Sequence, residues 1–220
     1  MFLEIPDLLT SDEVAVLRRI GRDAPFVDGR VSNPHNQTKQ NLQIDTGHAG
    51  HGESSTILAT ALNRNEDLRR FAFPTRMAIP MLCKYLPGMT YGRHSDSAFL
   101  PMRPEPLRSD VSCTIFVADP ATYEGGELTI HLGNRPVAVK GAPGSAVLYP
   151  STTIHEVQPV RSGERLVAIT FIQSQIVDEK KRELLYALGE VAELEGLTMK
   201  WENRVRLEHV RQTLHRLWSS

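Results

Sequence analysis

Between Tyr85 and Asp96 the chain reads Y-L-P-G-M-T-Y-G-R-H-S-D, which sets an imidazole, His94, one residue from a carboxylate, Asp96. On an extended strand, side chains at i and i+2 leave by the same face, so both groups reach one point. A second imidazole would complete a two-His, one-carboxylate set, which leaves open positions on ferrous iron. His155, in S-T-T-I-H-E-V, is the candidate third ligand.

Arg165 carries the next step. It opens the run R-L-V-A-I-T-F-I-Q-S, in which period two sets Arg165, Val167, Ile169 and Phe171 on one face. An arginine at the base of an apolar inward face is costly unless it meets an anion. A tight turn at Ser162-Gly163 would pair the His155 strand with the Arg165 strand as an antiparallel hairpin. Val160 would then oppose Arg165, with His155 about 16 Å up the ladder at roughly 3.3 Å per residue. A five-carbon 2-oxo diacid that chelates iron at one end and meets an extended arginine at the other spans roughly that distance, counting one charge-assisted hydrogen bond of about 2.8 Å. Charge agrees: two neutral imidazoles, Asp96 and Fe²⁺ leave one positive charge, Arg165 adds a second, and the diacid cancels both. The competing position for Arg165 is the surface of a charged turn, R-S-G-E-R.

The elements that must position these groups follow from patterning. Thr10-Ser11-Asp12-Glu13 is a capping box, with Leu9 and Val14 placed as a hydrophobic staple. Val14, Leu17 and Ile20 then predict a helix over 11–21, stopped at Gly21. Residues 25–53, with His35, His48 and His51, are expected to form a surface loop, with a short strand at Lys39–Ile44. A second helix is expected over Ser54–Phe73, closed by Pro74. From Arg76 the period changes, and β-type runs recur at 76–85, 90–96, 111–118, 126–132, 135–140, 144–149, 154–160 and 165–174. Short strands with no helix between them predict an antiparallel sandwich or barrel. A Pro-rich loop, 97–110, follows the H-x-D directly, as a lid or binding element would. Leu184, Leu188 and Val191, then Val210, Leu214 and Leu217, predict a C-terminal helical hairpin. Its arginines read as a solvated face.

Composition narrows the classes. The 220 residues are 40% hydrophobic with a net charge of −1, which suits a globular chain with no general pull toward nucleic acid or membrane. No apolar run would span a bilayer, and the N-terminus lacks a basic signal region, so a cytoplasmic location is expected. Cys83 and Cys113 fall in apolar runs and are expected to be buried free thiols. Glu127 is expected to be structural, and Tyr91, three residues before His94, to face away from the metal.

These residues carry a resemblance. Y-L-P-G-M-T-Y-G-R-H-S-D, D-V-S-C-T-I-F-V-A-D-P with Y-E-G-G-E-L, Y-P-S-T-T-I-H-E-V-Q-P-V and G-E-R-L-V-A-I-T-F-I-Q-S together resemble the iron(II)- and 2-oxoglutarate-dependent dioxygenases, specifically the PKHD-type hydroxylases related to prolyl 4-hydroxylases. The resemblance implies a mainly β protein with a double-stranded β-helix (jelly-roll) core over 76–175. An N-terminal helical region, 1–75, would pack on that core, and a helical hairpin would occupy 176–220. It implies His94, Asp96 and His155 on Fe²⁺, Arg165 on the distal carboxylate of 2-oxoglutarate, and Tyr85 lining the co-substrate pocket. O₂ is the oxidant and L-ascorbate a candidate reductant. Succinate and CO₂ would form as a substrate, peptide or small molecule, is hydroxylated. The C-terminal helices are a candidate homo-oligomer surface. Ser95 stands where relatives usually carry an apolar residue and Phe171 where they often carry tryptophan; neither is a ligand position.

Two other functions use the same residues. A jelly-roll module could bind iron or a ligand without catalysis, though it would not need all three ligands plus Arg165. A zinc hydrolase also suits two His and one acid, but leaves Arg165 unexplained and lacks an evident general base.

Overall fold

The structure, a computed structural model, describes residues 1–33 and 36–219. His35 lies outside the described residues.

Thr10 accepts from the Glu13 amide at 3.2 Å and the Glu13 carboxylate accepts from the Thr10 amide at 2.8 Å, closing the expected capping box. Helix α1 (Ser11–Asp23) runs past Gly21 and stops before Pro25. Gly21 is a packing residue, not a terminator: a Cβ there would lie 2.4 Å from Leu166 Cδ2, so the helix can approach the sheet only without one. The second expected helix is two. Helices α2 (Ala49–Arg64) and α3 (Glu66–Ala72) are divided at Asn65, which ends the first and caps the second by accepting from the Leu68 amide at 2.8 Å. The G-H-A-G-H-G stretch, expected in the loop, starts α2: His48 caps it by accepting from the Gly50 amide. Pro74 follows the turn at Phe73, as expected.

The β core is a double-stranded β-helix with antiparallel pairing throughout. Its large sheet runs Leu3–Ile5, Ala146–Pro150, Val111–Phe116, Arg165–Ser174, Met81–Tyr85, Leu42–Ile44, Phe26–Asp28, with Pro74–Met77 also paired to Arg165–Ser174. Its small sheet runs Arg135–Val139, Leu128–Leu132, His155–Val157, Thr90–His94, Lys39–Gln40. Segment 1–75 thus contributes sheet strands as well as helices. The loop 97–110 carries its own small pairing, Phe99–Leu100 with Leu107–Arg108.

The large sheet is buried on both faces, which period two makes possible. Leu82, Cys113, Ile115, Leu148, Leu166 and Ala168 pack with Leu17, Ile20, Leu58 and Leu62 of α1 and α2. Cys83, Tyr85, Val147, Tyr149 and Val167 point the other way and meet Leu128, Ile130 and Val157 of the small sheet. Both cysteines are free and buried; burial pushes the Cys83 thiol up to about 11 and the Cys113 thiol up to about 12.

A further expectation fails. The His155 and Arg165 strands are not a hairpin. His155–Val157 sits in the small sheet between Leu128–Leu132 and Thr90–His94, whereas Arg165 pairs with Tyr85 in the large sheet. Between them Val160–Ser162 pairs with Glu124–Gly125, and Gly163 turns the chain at φ 74°. The intervening residues carry the chain from one sheet to the other, so the ladder estimate of the His155–Arg165 separation has no basis. The C-terminal hairpin forms as expected from α4 (Glu179–Leu194) and α5 (Trp201–Trp218). Among the described residues no helix is long and apolar enough to cross a membrane.

Candidate active site

His94, Asp96 and His155 meet. Their ligand atoms all lie within 4.8 Å of one another. Direct pairing of the His155 and Thr90–His94 strands places the two imidazoles side by side, ring centroids 4.2 Å apart. Asp96, just past the end of its strand, is held by its amide donating to Ser151 O at 3.2 Å.

The tautomers are set by backbone. His94 Nδ1 lies 2.8 Å from Gly92 O and His155 Nδ1 2.9 Å from Thr153 O. A carbonyl only accepts, so each Nδ1 carries the proton and each Nε2 presents a lone pair. Those Nε2 atoms lie 3.8 Å (His94) and 3.7 Å (His155) from the Asp96 carboxylate oxygens. The gaps are too long for hydrogen bonds and leave room for a cation between the groups. Burial first, and His155 second, hold the His94 imidazole below the ordinary histidine range, which keeps it neutral. Two neutral imidazoles and a carboxylate, with the remaining side open to a cavity, fit ferrous iron.

Ser112 was not singled out by the sequence. Its hydroxyl donates to Asp96 Oδ2 at 2.5 Å and lies 2.7 Å from Ser151 Oγ, which in turn accepts from Ser109 Oγ. This chain of hydroxyls fixes the carboxylate's rotation. Its signal was the pair of polar residues, Ser112 and Thr114, that alternate with apolar ones along Val111–Phe116 and share the cavity face.

The donors open on a cavity of about 430 Å³, lined also by Tyr85, Tyr149, Arg165, Val167, Ile169 and Phe171. The period-two face that starts at Arg165 is therefore inward, as expected. Arg165 is 1% exposed, and its Nε has no hydrogen-bond partner among the described residues. Its guanidinium lies 4.9 Å from the Tyr85 ring centroid. Among the described residues no carboxylate pairs with it. A buried cation in that state requires an anion from outside the chain. Burial raises the Tyr85 phenol, so it stays protonated as a donor.

Tyr91 corrects another expectation. Its ring stacks on His94 at 3.7 Å and it lines the cavity. The register shifts between His155↔His94 and Val157↔Tyr91, so one intervening residue, Glu156, opposes two, Gly92 and Arg93. That bulge re-phases the strand and turns Tyr91 inward. Glu127 does not line the cavity. Neither His48 nor His51 approaches the three donors.

Comparison with known proteins agrees with this geometry. Residues 80–173 match the family described as the 2OG-Fe(II) oxygenase superfamily. A PKHD-type hydroxylase of Sphingopyxis alaskensis is 49% identical over 215 residues, covering 98% of each chain. Another, of Thioalkalivibrio sulfidiphilus, is 37% identical and covers 100% of this chain and 99% of its own. Among solved structures, a Pseudomonas putida prolyl-4-hydroxylase superposes with a TM-score of 0.55 at 21% identity, covering 78% of this chain and 92% of that one. A Trichoplax adhaerens prolyl hydroxylase bound to a peptide fragment of hypoxia inducible factor gives 0.56 at 19% identity, covering 83% and 86%. At those identities the likeness is one of fold.

Proposed function

We propose that this chain, which belongs to the 2OG-Fe(II) oxygenase superfamily and within it to the PKHD-type hydroxylases, binds iron through His94, Asp96 and His155 and anchors 2-oxoglutarate on Arg165. The family's activity is that of an iron- and 2-oxoglutarate-dependent dioxygenase. The observation that carries the residue assignment is Arg165: a buried guanidinium without a carboxylate partner among the described residues, lining the same cavity as the three donors.

Ferrous iron, with 2-oxoglutarate and O₂, supplies oxidative decarboxylation to succinate and CO₂ and the oxygen delivered to substrate. The chain supplies position. His94 and His155 offer Nε2 lone pairs because Gly92 and Thr153 carbonyls hold their Nδ1 protons. Ser112 keeps Asp96 turned toward them. Arg165 meets the distal carboxylate, and the neutral Tyr85 phenol adds a donor beside it. Val167, Ile169 and Phe171 exclude water along the inward face, which strengthens each charged contact.

The catalytic core is taken as 76–175, extended by 1–75 and flanked by 176–220. The unpaired buried thiols suit a reducing cytoplasm. A homo-oligomer through the C-terminal helices would cover the exposed Leu194, Leu197 and Trp201.

Anaerobic iron reconstitution followed by 2-oxoglutarate tests the site. A charge-transfer band is expected, with succinate formed on admitting O₂, and both are lost in His155→Ala. An iron-free, hydrolytic or ligand-only protein would give neither signal in the wild type.

A further inference from the structure

Three charged side chains line the cavity among the described residues: Asp96, Arg165 and Lys39. The first two have roles above. Lys39 does not. It is 6% exposed, and its Nζ donates to Ser32 Oγ at 2.8 Å. It lies 5.7 Å from the centroid of the Tyr91 ring, which itself stacks on His94. The edge pairing Lys39↔Tyr91 puts it there.

Among the described residues no carboxylate lies within ion-pair distance of Lys39. Asp28 is engaged by the Arg30 guanidinium at 2.6 Å. An ammonium has three donor positions, and one is used. Burial pulls Lys39 below the ordinary lysine range, with Cys83, Asp96 and Asp28 opposing. A buried cation with unused donors is costly unless an anion reaches it.

The co-substrate does not balance this charge. Ferrous iron and 2-oxoglutarate cancel each other, and Asp96 cancels one of the two cations. One positive charge remains in the loaded cavity. A single carboxylate neutralises it, whereas a phosphate monoester dianion overshoots. The same cavity is walled by Val31, Ile79, Leu100 and Pro101, which suit an aliphatic body. We propose that Lys39 recognises the substrate by pairing with a carboxylate on an aliphatic molecule or chain end. This rests on the reading of Arg165 as the 2-oxoglutarate anchor.

The test uses the anaerobic iron- and 2-oxoglutarate-saturated protein, titrated with butanoate and with butanamide. Wild type is expected to bind butanoate at least tenfold more tightly than the amide. Lys39→Met is expected to abolish that preference and Lys39→Arg to retain it. Acetyl-Ala-Ala with a free or an amidated C-terminus forms the second arm: a preference confined to this pair assigns a peptide end, one shared with butanoate a small acid. The proposal is overturned if neither pair shows a preference, or if the preference survives Lys39→Met. It is also overturned if Lys39→Met weakens 2-oxoglutarate binding as much as Arg165→Met does, because Lys39 would then serve the co-substrate. Absence of the charge-transfer band in wild type is a separate result: it sinks the metal-site reading, while a Lys39-dependent butanoate preference in that same protein would still support the anion site.

Discussion

Arg165→Met should weaken the loaded protein and not the empty one. With 2-oxoglutarate bound, the substitution strips one partner from a buried, hydrogen-bonded ion pair. That loss is worth about 3–5 kcal/mol in a dry site. The cavity of about 430 Å³ lets water reach the stranded carboxylate, and Tyr85 stays as a donor. The expected penalty is then about 2–4 kcal/mol, roughly 30- to 1,000-fold in 2-oxoglutarate affinity. Without ligand the sign changes. Arg165 is 1% exposed and its Nε is unpartnered, so methionine replaces a poorly compensated cation with apolar volume. The cation–ring contact with Tyr85 is lost, about 1 kcal/mol, but the desolvation cost of the guanidinium goes too. The net change is expected to lie near zero or to stabilise by about 1–2 kcal/mol. Anaerobic titration of the charge-transfer band measures the first quantity, and urea denaturation of the metal-free protein measures the second. Affinity within threefold of wild type, or a loss of more than about 2 kcal/mol of stability, would refute the reasoning, since Arg165 would then be a structural cation.

Ser112→Ala removes the 2.5 Å hydrogen bond to Asp96 and should reduce iron affinity about 10- to 100-fold with the fold intact; unchanged affinity in a metal titration would show that the hydroxyl does not orient the ligand. Glu13 is held below the ordinary glutamate range, chiefly by the Arg64 hydrogen bond. A depressed folded-state pKa contributes stability above the unfolded-state value that is lost as pH falls through the folded one. Glu13→Gln, which keeps the capping box, should therefore cost about 0.5–1 kcal/mol near neutrality, and the difference from wild type should close in denaturation curves taken below the ordinary glutamate range. Gly125→Ala forces a side chain onto φ 73° with its Cβ 2.1 Å from Pro159 O; it should destabilise by at least about 2 kcal/mol, and an unchanged melting temperature would contradict the turn geometry.

The sequence alone determined what depends on neighbours along the chain. The capping box, the alternation that turns Arg165, Val167, Ile169 and Phe171 inward, and the pairing of His94 with Asp96 are set by spacing within a few residues. His155 and Arg165 could be nominated because an imidazole and a guanidinium on apolar strands need a reason to be there. Which strands lie side by side was decided only by the tertiary structure. The hairpin drawn between His155 and Arg165 gave way to a crossing between sheets, because each strand gains more by burying both faces among distant partners than by pairing with its neighbour in sequence. Tyr91 reached the cavity through a bulge that shifts the phase by one residue, and such a shift leaves no mark in residue types. Lys39 lies on an edge strand more than fifty residues before the H-x-D, where a short strand was expected within a surface loop and nothing marked its side chain for the site. Its burial and, among the described residues, its lack of a carboxylate partner are properties of the assembled cavity, where dielectric and charge depend on every wall at once.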